Sequence, residues 1–222
     1  PAMAATPTLS AAKRPAARPH PRVRMSSEER QAEIVGAVLA LARERGPDAI
    51  TTQDIATRIG VTQGAIFRHF PDKEAIWLAV FAWVRASLGG ALDAAIDRAG
   101  SPLAKIERAF LAHVAFVAAN PGVARVLFHE LQYPGDSRVR VEVRAMIDGY
   151  RNRLARLFRD AKAADELPQA LDPALASILF IGAVQSLVIQ ASLAGDERAM
   201  EARARRMFPL LLDGYRGRSA GR

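Results

Sequence analysis

The sequence predicts an all-α fold of about nine helices. From Met25 onward, apolar residues recur almost throughout at the spacing of an amphipathic helix. The helical segments are separated by cap residues and by glycine and proline, which end helices. The chain has neither a run of alternating β-branched residues nor an Asn-Gly hairpin signal, so we expect no strands.

Three helices are predicted at the start of this region. A capping box formed by Ser26 and Glu29 opens the first helix, and Gly46-Pro47 ends it. Cap and turn residues then follow one another closely, so the next two helices are short. Their predicted bounds are 51 or 52 to 59, ended by Gly60, and 62 to 70, ended by Pro71.

Six further helices are predicted after Asp72, which can cap the first of them. Proline and glycine residues mark most of the breaks between them. The predicted bounds are 73 to about 98, 101–120, 121–132, a turn at 133–136, then 137–164, 173–193 and 197–215 with a kink at Pro209.

The composition excludes several classes of protein. Cysteine is absent, which excludes a disulfide scaffold, a thiol nucleophile and a cysteine-based zinc site. The chain also lacks a glycine-rich phosphate loop, G-x-S-x-G and H-E-x-x-H. His113, His129 and Glu130 lack the short spacing of a metal site. We therefore predict neither an enzyme nor a cofactor or metal.

The net charge of +8 favours an anionic partner, either a nucleic acid or an acidic membrane surface. Its distribution suggests three regions. Residues 1–24 carry +5 and are rich in Ala, Pro and Arg, which predicts a disordered basic arm; residues 25–72 carry −2, and residues 73–222 carry +5. The arm either adds phosphate or minor-groove contacts or is a solvated tail. It has no apolar run long enough for a signal peptide.

Residues 51–74 carry the most specific pattern. Two short helices joined at Gly60 can form one small core, and this is the arrangement of a helix-turn-helix, whose second helix enters the major groove. Gln63 can pair with adenine, Arg68 can reach guanine or a phosphate, and Gly64 allows close approach of the backbone. The core of this unit is predicted to contain Ile55, Ala56, Ile59, Val61, Ile66 and Phe70.

The pattern T-x-x-x-I-A-x-x-x-G-V-T-x-G-x-I-F-R-H-F-P-D-K-E resembles the N-terminal helix-turn-helix of the TetR family of transcriptional regulators. The resemblance implies a homodimer in which helices one to three bind DNA, the following helices form a ligand pocket and the last two form the dimer interface. The predicted domains are a helix-turn-helix domain at 25–72 and a ligand-binding and dimerisation domain at 73–222. The predicted DNA-facing residues are Thr51, Thr52, Thr62, Gln63, Gly64, Ala65, Phe67, Arg68, His69 and Lys73.

One residue departs from the family pattern. Phe67 stands where the family usually has a tyrosine whose hydroxyl contacts a phosphate. We therefore expect Phe67 to make only apolar contact with DNA.

A ligand pocket is mostly apolar with a few polar groups. Candidates lie on the helices that would surround such a pocket, although aromatic residues and methionine at helical spacing also suit a plain core. They are Trp83, His113, Phe116, Phe128, His129, Met146, Tyr150, Phe180 and Gln185.

The predicted helix at 173–193 carries no charged residue. Its length approaches a membrane span, but its Ser and Gln residues are costly in hydrocarbon. A second copy of the chain explains the apolar surface better, since a helix that is apolar all round must be covered. The predicted dimer interface contains Leu175, Ile178, Leu179, Gly182, Ser186, Leu187, Met207, Leu210 and Leu211.

These observations predict a cytoplasmic, ligand-responsive transcriptional regulator. We expect a repressor that binds a palindromic double-stranded DNA operator as a homodimer and is released by a small apolar or amphipathic effector. One alternative is a helical small-molecule-binding protein without specific DNA binding. Another is a membrane-associated helical protein held by residues 173–193.

Overall fold

The computed structural model describes residues 25–132 and 135–217. Within these ranges the chain forms nine α-helices, two short 3₁₀ turns and no strand, as the sequence predicts. The predicted arm at 1–24 and the centre of the turn at 133–136 lie outside the described residues. The helices are α1 (Ser27–Glu44), α2 (Thr52–Ile59), α3 (Gln63–Phe67), α4 (Lys73–Ile96), α5 (Pro102–Ala119), α6 (Pro121–Gln132), α7 (Arg138–Ala163), α8 (Pro173–Ala194) and α9 (Met200–Arg216).

The ends of the helices follow from local cap chemistry. The Ser26 side chain accepts a hydrogen bond from the Glu29 amide, and Gly60 ends α2 with a left-handed φ of 69° that favours glycine. Two predicted bounds were wrong. Helix α3 ends at Phe67 because the following residues form a turn, in which the His69 amide donates to the Ile66 carbonyl. Helix α9 begins at Met200, after a 3₁₀ turn over Glu197–Ala199.

The helices pack around two hydrophobic cores. The first core is built by α1, α2, α3 and the N-terminal half of α4, and it also takes in parts of α6 and the start of α7. Packing in this core therefore crosses the predicted domain boundary at residue 72. Its buried members include Ile34, Leu41, Ile55, Ile66, Phe70, Val80, Phe81, Val84, Val123, Val126, Val139 and Val143.

The second core joins α5, α7, α8 and α9 to the end of α4. Aromatic rings fill its centre, where the Phe110 and Phe180 rings meet edge to face with centroids 5.3 Å apart. The Tyr215 hydroxyl of α9 donates to the Ala176 carbonyl of α8 at 3.0 Å. This hydrogen bond ties the last two helices together.

Helix α6 links the two cores, because it packs directly on α1. The Gly122 backbone lies so close to the Leu39 carbonyl oxygen that a Cβ atom on Gly122 would stand 2.1 Å from it. At the other end of α6, the His129 Nε2 atom lies 3.1 Å from the Asp48 Oδ1 atom, in the turn between α1 and α2. Any shift of α6 therefore acts on α1 and on the turn that precedes α2.

Helices α4 and α7 run in the same direction and are joined by ion pairs along their length. Arg138 faces Glu74 at 3.7 Å, Arg85 faces Glu142 at 2.5 Å, and Arg153 faces Asp93. Helix α4 begins beside the helix-turn-helix and ends in the second core. It thus spans both halves of the molecule.

One face of α8 is exposed although it is apolar. Leu175, Ile178 and Leu179 are 63, 50 and 51% exposed, and Leu210 of α9 is 72% exposed. Leu187 and Leu211, predicted at the dimer interface, instead lie in the second core and are only 3 and 8% exposed. Leu187 lies on the face of α8 that packs into the second core, and Leu211 lies on the face of α9 that packs into the same core.

By length and composition, two described helices, α4 and α8, are apolar enough to cross a membrane. Helices α5 and α6 together would also be long enough, but they are bent by 91° at their junction. Part of the apolar surface of each of these two helices is buried within the chain. Val80 and Phe81 of α4 lie in the first core, and Phe180 and Val184 of α8 lie in the second.

Candidate nucleic-acid interface and ligand cavity

Helix α3 presents its polar face outward. Thr62, Gln63, Gly64 and Arg68 are exposed, and the Phe67 side chain is 45% exposed. Ala65 and His69 are half-buried at the edge of this face. Ile66 is fully buried and anchors the helix to the first core, as the sequence predicts. The arrangement leaves one side of a short, rigidly held helix free to contact a duplex.

Hydrogen bonds position two of these side chains. The Gln63 Nε2 atom donates to the Thr52 Oγ1 atom at 2.6 Å, which connects α3 to the start of α2. The His69 Nδ1 atom lies 3.3 Å from the Ser27 hydroxyl at the start of α1. Gln63 is therefore tied to the start of α2, and His69 lies beside the first turn of α1.

Thr51 is placed differently from the other predicted DNA-facing residues. Its hydroxyl donates to the Asp54 Oδ2 atom at 2.6 Å and accepts from the Asp54 amide at 3.1 Å. This hydrogen bonding lowers the pKa of Asp54, with a smaller contribution from nearby Arg45. The Thr51 amide also donates to the Asp54 Oδ2 atom, at 2.9 Å, so both its hydroxyl and its amide are committed to capping α2 and neither is free for a phosphate.

Two charged residues flank this surface. Lys73 is exposed at the first position of α4, with its Nζ atom 6.0 Å from the centre of the Trp77 ring. On α2, Arg58 donates to Glu44 of α1 at 2.6 Å, and this bond lowers the pKa of Glu44 and raises that of Arg58. Lys73 is therefore an exposed cation at the start of α4, whereas the charge of Arg58 is paired with Glu44.

A cavity of about 100 Å³, here called the inner cavity, lies between α4, α5, α6, α7 and α8. Its walls come from both cores: Val84 and Val123 belong to the first core, and Val117 and Val184 to the second. Six of the nine predicted ligand-binding residues line it. They are His113, Phe116, Phe128, Met146, Tyr150 and Gln185.

The polar centre of the inner cavity is the pair His113 and Tyr150. The His113 Nδ1 atom lies 3.0 Å from the Tyr150 hydroxyl oxygen, and the two rings meet edge to face. Burial lowers the pKa of His113 to about 4 and raises the pKa of Tyr150. Both groups are therefore neutral at pH 7, and the cavity offers hydrogen bonds without a formal charge.

The other three predicted ligand-binding residues lie elsewhere. Trp83 packs beside Phe116, with ring centroids 6.1 Å apart, and contacts the first core. Phe180 is fully buried behind Tyr150 in the second core. His129 is turned toward Asp48 instead of the cavity. These side chains instead contact an aromatic ring or, for His129, a carboxylate in the turn between α1 and α2.

A second cavity, the outer cavity, has a volume of about 180 Å³ and adjoins the inner one. The two share Val117, Ala124, Phe128 and Val188 in their walls, so Phe128 stands between them. Most residues that line these spaces are aliphatic, and sequence reasoning missed them. Aliphatic residues at helical spacing carry no signal that separates a cavity wall from a packed core.

No group of three or more histidine, aspartate or glutamate side chains that could hold a metal ion occurs in ranges 25–132 and 135–217.

Two family models match the chain, and together they span more than half of it. Residues 34–80 match the model described as bacterial regulatory proteins, tetR family, and residues 99–189 match the model described as tetracyclin repressor-like, C-terminal domain. Among curated relatives, a nucleoid occlusion factor SlmA from Marinomonas sp. is 29% identical over 148 residues, which cover 66% of this chain and 73% of the relative.

Solved structures show the same fold. A transcriptional regulator of the TetR/AcrR family from Thermobifida fusca is 26% identical with a TM-score of 0.65, covering 85% of this chain and 99% of that one. The regulator FadR from Bacillus subtilis, solved with stearoyl-CoA, is 21% identical with a TM-score of 0.73, covering 82% and 98%. With its exposed helix-turn-helix and both matching family models, the chain belongs to the TetR family of bacterial transcriptional regulators.

Proposed function

We propose that the protein is a cytoplasmic homodimeric repressor that binds a palindromic operator through α3. A small apolar or amphipathic effector, bound in the inner cavity, releases it from DNA. One observation carries the proposal: the inner cavity lies where the core that holds α3 meets the second core. The chain acts as a regulator and not as an enzyme.

The proposed DNA contacts follow from the exposed face of α3. Gln63 pairs with adenine and Arg68 reaches a guanine edge or a phosphate, while Gly64 lets the backbone approach the groove. Thr52, Thr62 and Lys73 lie near helix starts, where backbone amides favour phosphate. Ala65, Phe67 and His69 complete the contact surface.

The exposed apolar residues support a dimer. Of the ten large apolar side chains exposed in the described residues, six belong to α8 and α9. A patch of this kind on a soluble protein favours a partner surface. Gly182 and Ser186 lie on the same exposed side of α8 and allow a second copy to approach closely, and two copies would place their α3 helices in successive major grooves about 34 Å apart.

Effector binding at the boundary of the two cores explains the release. An effector needs only to bind the DNA-incompetent conformation more tightly, and a coupling of about 1–3 kcal/mol is typical. Helix α6 contacts α1 at Gly122, and α4 connects the cavity to the DNA-binding unit. The structurally similar FadR was solved in complex with stearoyl-CoA, and this supports an effector with a long apolar chain.

Selection from a random duplex pool tests DNA binding. We expect the protein to enrich a palindromic sequence, and Gln63→Ala and Arg68→Ala to weaken binding to it by about tenfold or more without changing the dimer. Arg205 is an exposed arginine on α9, and Arg205→Ala is the matched control, which we expect to keep full affinity for DNA. Enrichment of no sequence would instead support a helical small-molecule-binding protein without specific DNA binding.

Fractionation tests localisation. We expect the full chain in the detergent-free supernatant as a dimer, because a second copy would cover the exposed apolar face of α8. Recovery only in the membrane fraction would contradict the proposal.

A further inference from the structure

The inner cavity has a neighbour on the α4–α7 side. This crevice has a volume of about 190 Å³, and it shares Leu88, Met146 and Tyr150 with the inner cavity. Gly89 and Gly149 line the crevice as well, one from each helix. These three shared side chains form the partition between the crevice and the apolar interior.

Two arginines stand at the rim of the crevice. Arg85 of α4 is paired with Glu142, and Arg153 of α7 is paired with Asp93. The Arg85 side chain is 56% exposed and the Arg153 side chain 24%. Both guanidinium groups therefore reach solvent while they hold the two helices together.

Arg153 also belongs to a wider surface depression, here called the arginine shelf. It is lined by Arg153, Arg156 and Arg159 with one acid, Asp160, and has an open volume of about 470 Å³. Arg156 and Arg159 are exposed, one turn apart on α7. Guanidinium groups present forked donors that suit phosphate oxygens.

The three spaces adjoin one another, because the crevice shares Arg153 with the arginine shelf and three side chains with the inner cavity, and their polarity is graded. The arginine shelf is cationic, the crevice is narrow, and the inner cavity carries no formal charge because His113 is neutral. A free carboxylate inside would lose its hydration with no cation to replace it. A phosphate-bearing head on the shelf would keep its charge paired while an apolar chain entered the interior.

We propose that the effector is an amphipathic molecule with a phosphate-bearing head. Its head binds the arginine shelf, and its apolar chain passes through the crevice into the inner cavity beside His113 and Tyr150. This inference rests on the proposed effector role of the inner cavity. It adds the chemical class of the ligand and places the binding site of its head on the arginines of α7.

The test uses the full-length protein loaded with the neutral apolar dye Nile red. The competitors are lauroyl-coenzyme A, laurate, methyl laurate and free coenzyme A, each below its micellar concentration. We expect lauroyl-coenzyme A to displace the dye at concentrations at least about tenfold lower than laurate or methyl laurate, because charge-assisted bonds to phosphate add affinity. Free coenzyme A leaves the dye in place.

A pair of double variants locates the head. Arg156→Ala with Arg159→Ala removes two cations from the shelf and leaves the Arg153–Asp93 pair intact, so lauroyl-coenzyme A loses at least about tenfold in affinity while methyl laurate is unchanged. Arg144→Ala with Arg151→Ala is the control, since it removes two exposed arginines of α7 that line none of these spaces and pair with Asp136 and Asp148. Equal affinities in the two double variants would overturn the inference.

Gly149→Leu tests the path. A leucine is a better helix former than glycine, and the Cβ position of Gly149 has no atom within 4 Å, so the variant should fold. We expect slower association of methyl laurate, and an unchanged association rate would exclude the crevice as the route. If neither Nile red nor any lauroyl compound binds, the proposed function of the inner cavity as an effector site is wrong. If the neutral probes bind normally but lauroyl-coenzyme A gains nothing over methyl laurate, only the phosphate-bearing head is wrong.

Discussion

The Gly122 backbone of α6 lies against the Leu39 carbonyl of α1, so closely that a Cβ atom on Gly122 would stand 2.1 Å from the Leu39 oxygen. The close neighbours of this position are main-chain atoms, which cannot move aside as a flexible side chain does. The contact therefore sets how closely α6 packs on α1.

Gly122→Ala is expected to push α6 away from α1. Overpacking of this kind typically costs about 1–3 kcal/mol, and here it also displaces the first core, so operator affinity falls as well. Urea unfolding and operator titration at one fixed protein concentration measure both effects. Gly36→Ala is the control: Gly36 is exposed in α1 with no atom within 4 Å of its Cβ position, and alanine there stabilises the helix by up to about 1 kcal/mol. Equal stability of the two variants would contradict the expectation.

Phe67→Tyr is expected to tighten DNA binding. Phe67 is 45% exposed on α3, so a hydroxyl can be added without repacking, and it can donate to a phosphate. A hydrogen bond to a charged group contributes about 1.5–3 kcal/mol at most, which sets an upper limit of roughly a hundredfold. Fluorescence anisotropy on operator and random duplexes should show similar gains, because phosphate contacts carry no base information. A gain on operator alone would point to a base contact instead.

His113 makes stability depend on pH. The unfolded chain has an ordinary histidine pKa near 6.5, whereas burial lowers the pKa of the folded residue to about 4. Between these values the unfolded state binds more protons, so stability is greatest above pH 6.5 and falls as the pH drops toward 4. At pH 5 this histidine alone costs about 2 kcal/mol relative to pH 7.5.

Comparison of variants isolates this effect from the other titrating groups. His113→Leu should lose about 2 kcal/mol less than the parent between pH 7.5 and pH 5 in urea unfolding. Tyr150→Phe keeps the buried imidazole and should retain the pH dependence of the parent. Identical pH profiles for the parent and His113→Leu would show that the imidazole takes up its proton in the folded protein.

Leu179→Glu is expected to dissociate the proposed dimer. Leu179 is 51% exposed on the apolar face of α8, and a twofold interface would bring two added carboxylates near each other. We expect the dimer dissociation constant to rise by about a hundredfold or more, since like charges at an interface cost several kcal/mol. Analytical ultracentrifugation measures it. Val141→Glu on α7, at a site 53% exposed, is the control and should remain dimeric.

Most helix bounds and the exposed face of α3 could be predicted from the sequence because caps and turns are local. Ser26, Gly60 and Asp72 act within a few residues of their own positions, and each lies at the helix end that it predicts. Thr51 shows how a local signal can be overlooked. Thr51 and Asp54 have the same capping-box spacing as Ser26 and Glu29, and the prediction that Thr51 faces DNA did not take this into account.

The cavity could be predicted only in part, because its walls depend on how five helices pack. Phe128 and Phe180 are both aromatic residues on apolar helices, yet Phe128 lines two cavities and Phe180 fills the second core. Leu179 and Leu187 present the same problem on α8. That helix is apolar on all sides, so its sequence does not say which leucines the chain covers itself.

The position of the inner cavity also has a consequence for motion. Where two cores meet at an unfilled space, the contacts that would resist their relative movement are missing, and opening fluctuations at that boundary cost little. Amide hydrogens of α6 and of the middle of α4 should therefore exchange with solvent faster than those in the centre of either core. A bound molecule that slows this exchange would make the boundary between the two cores more rigid. In that case the proposed repression would end because the two cores could no longer move relative to each other.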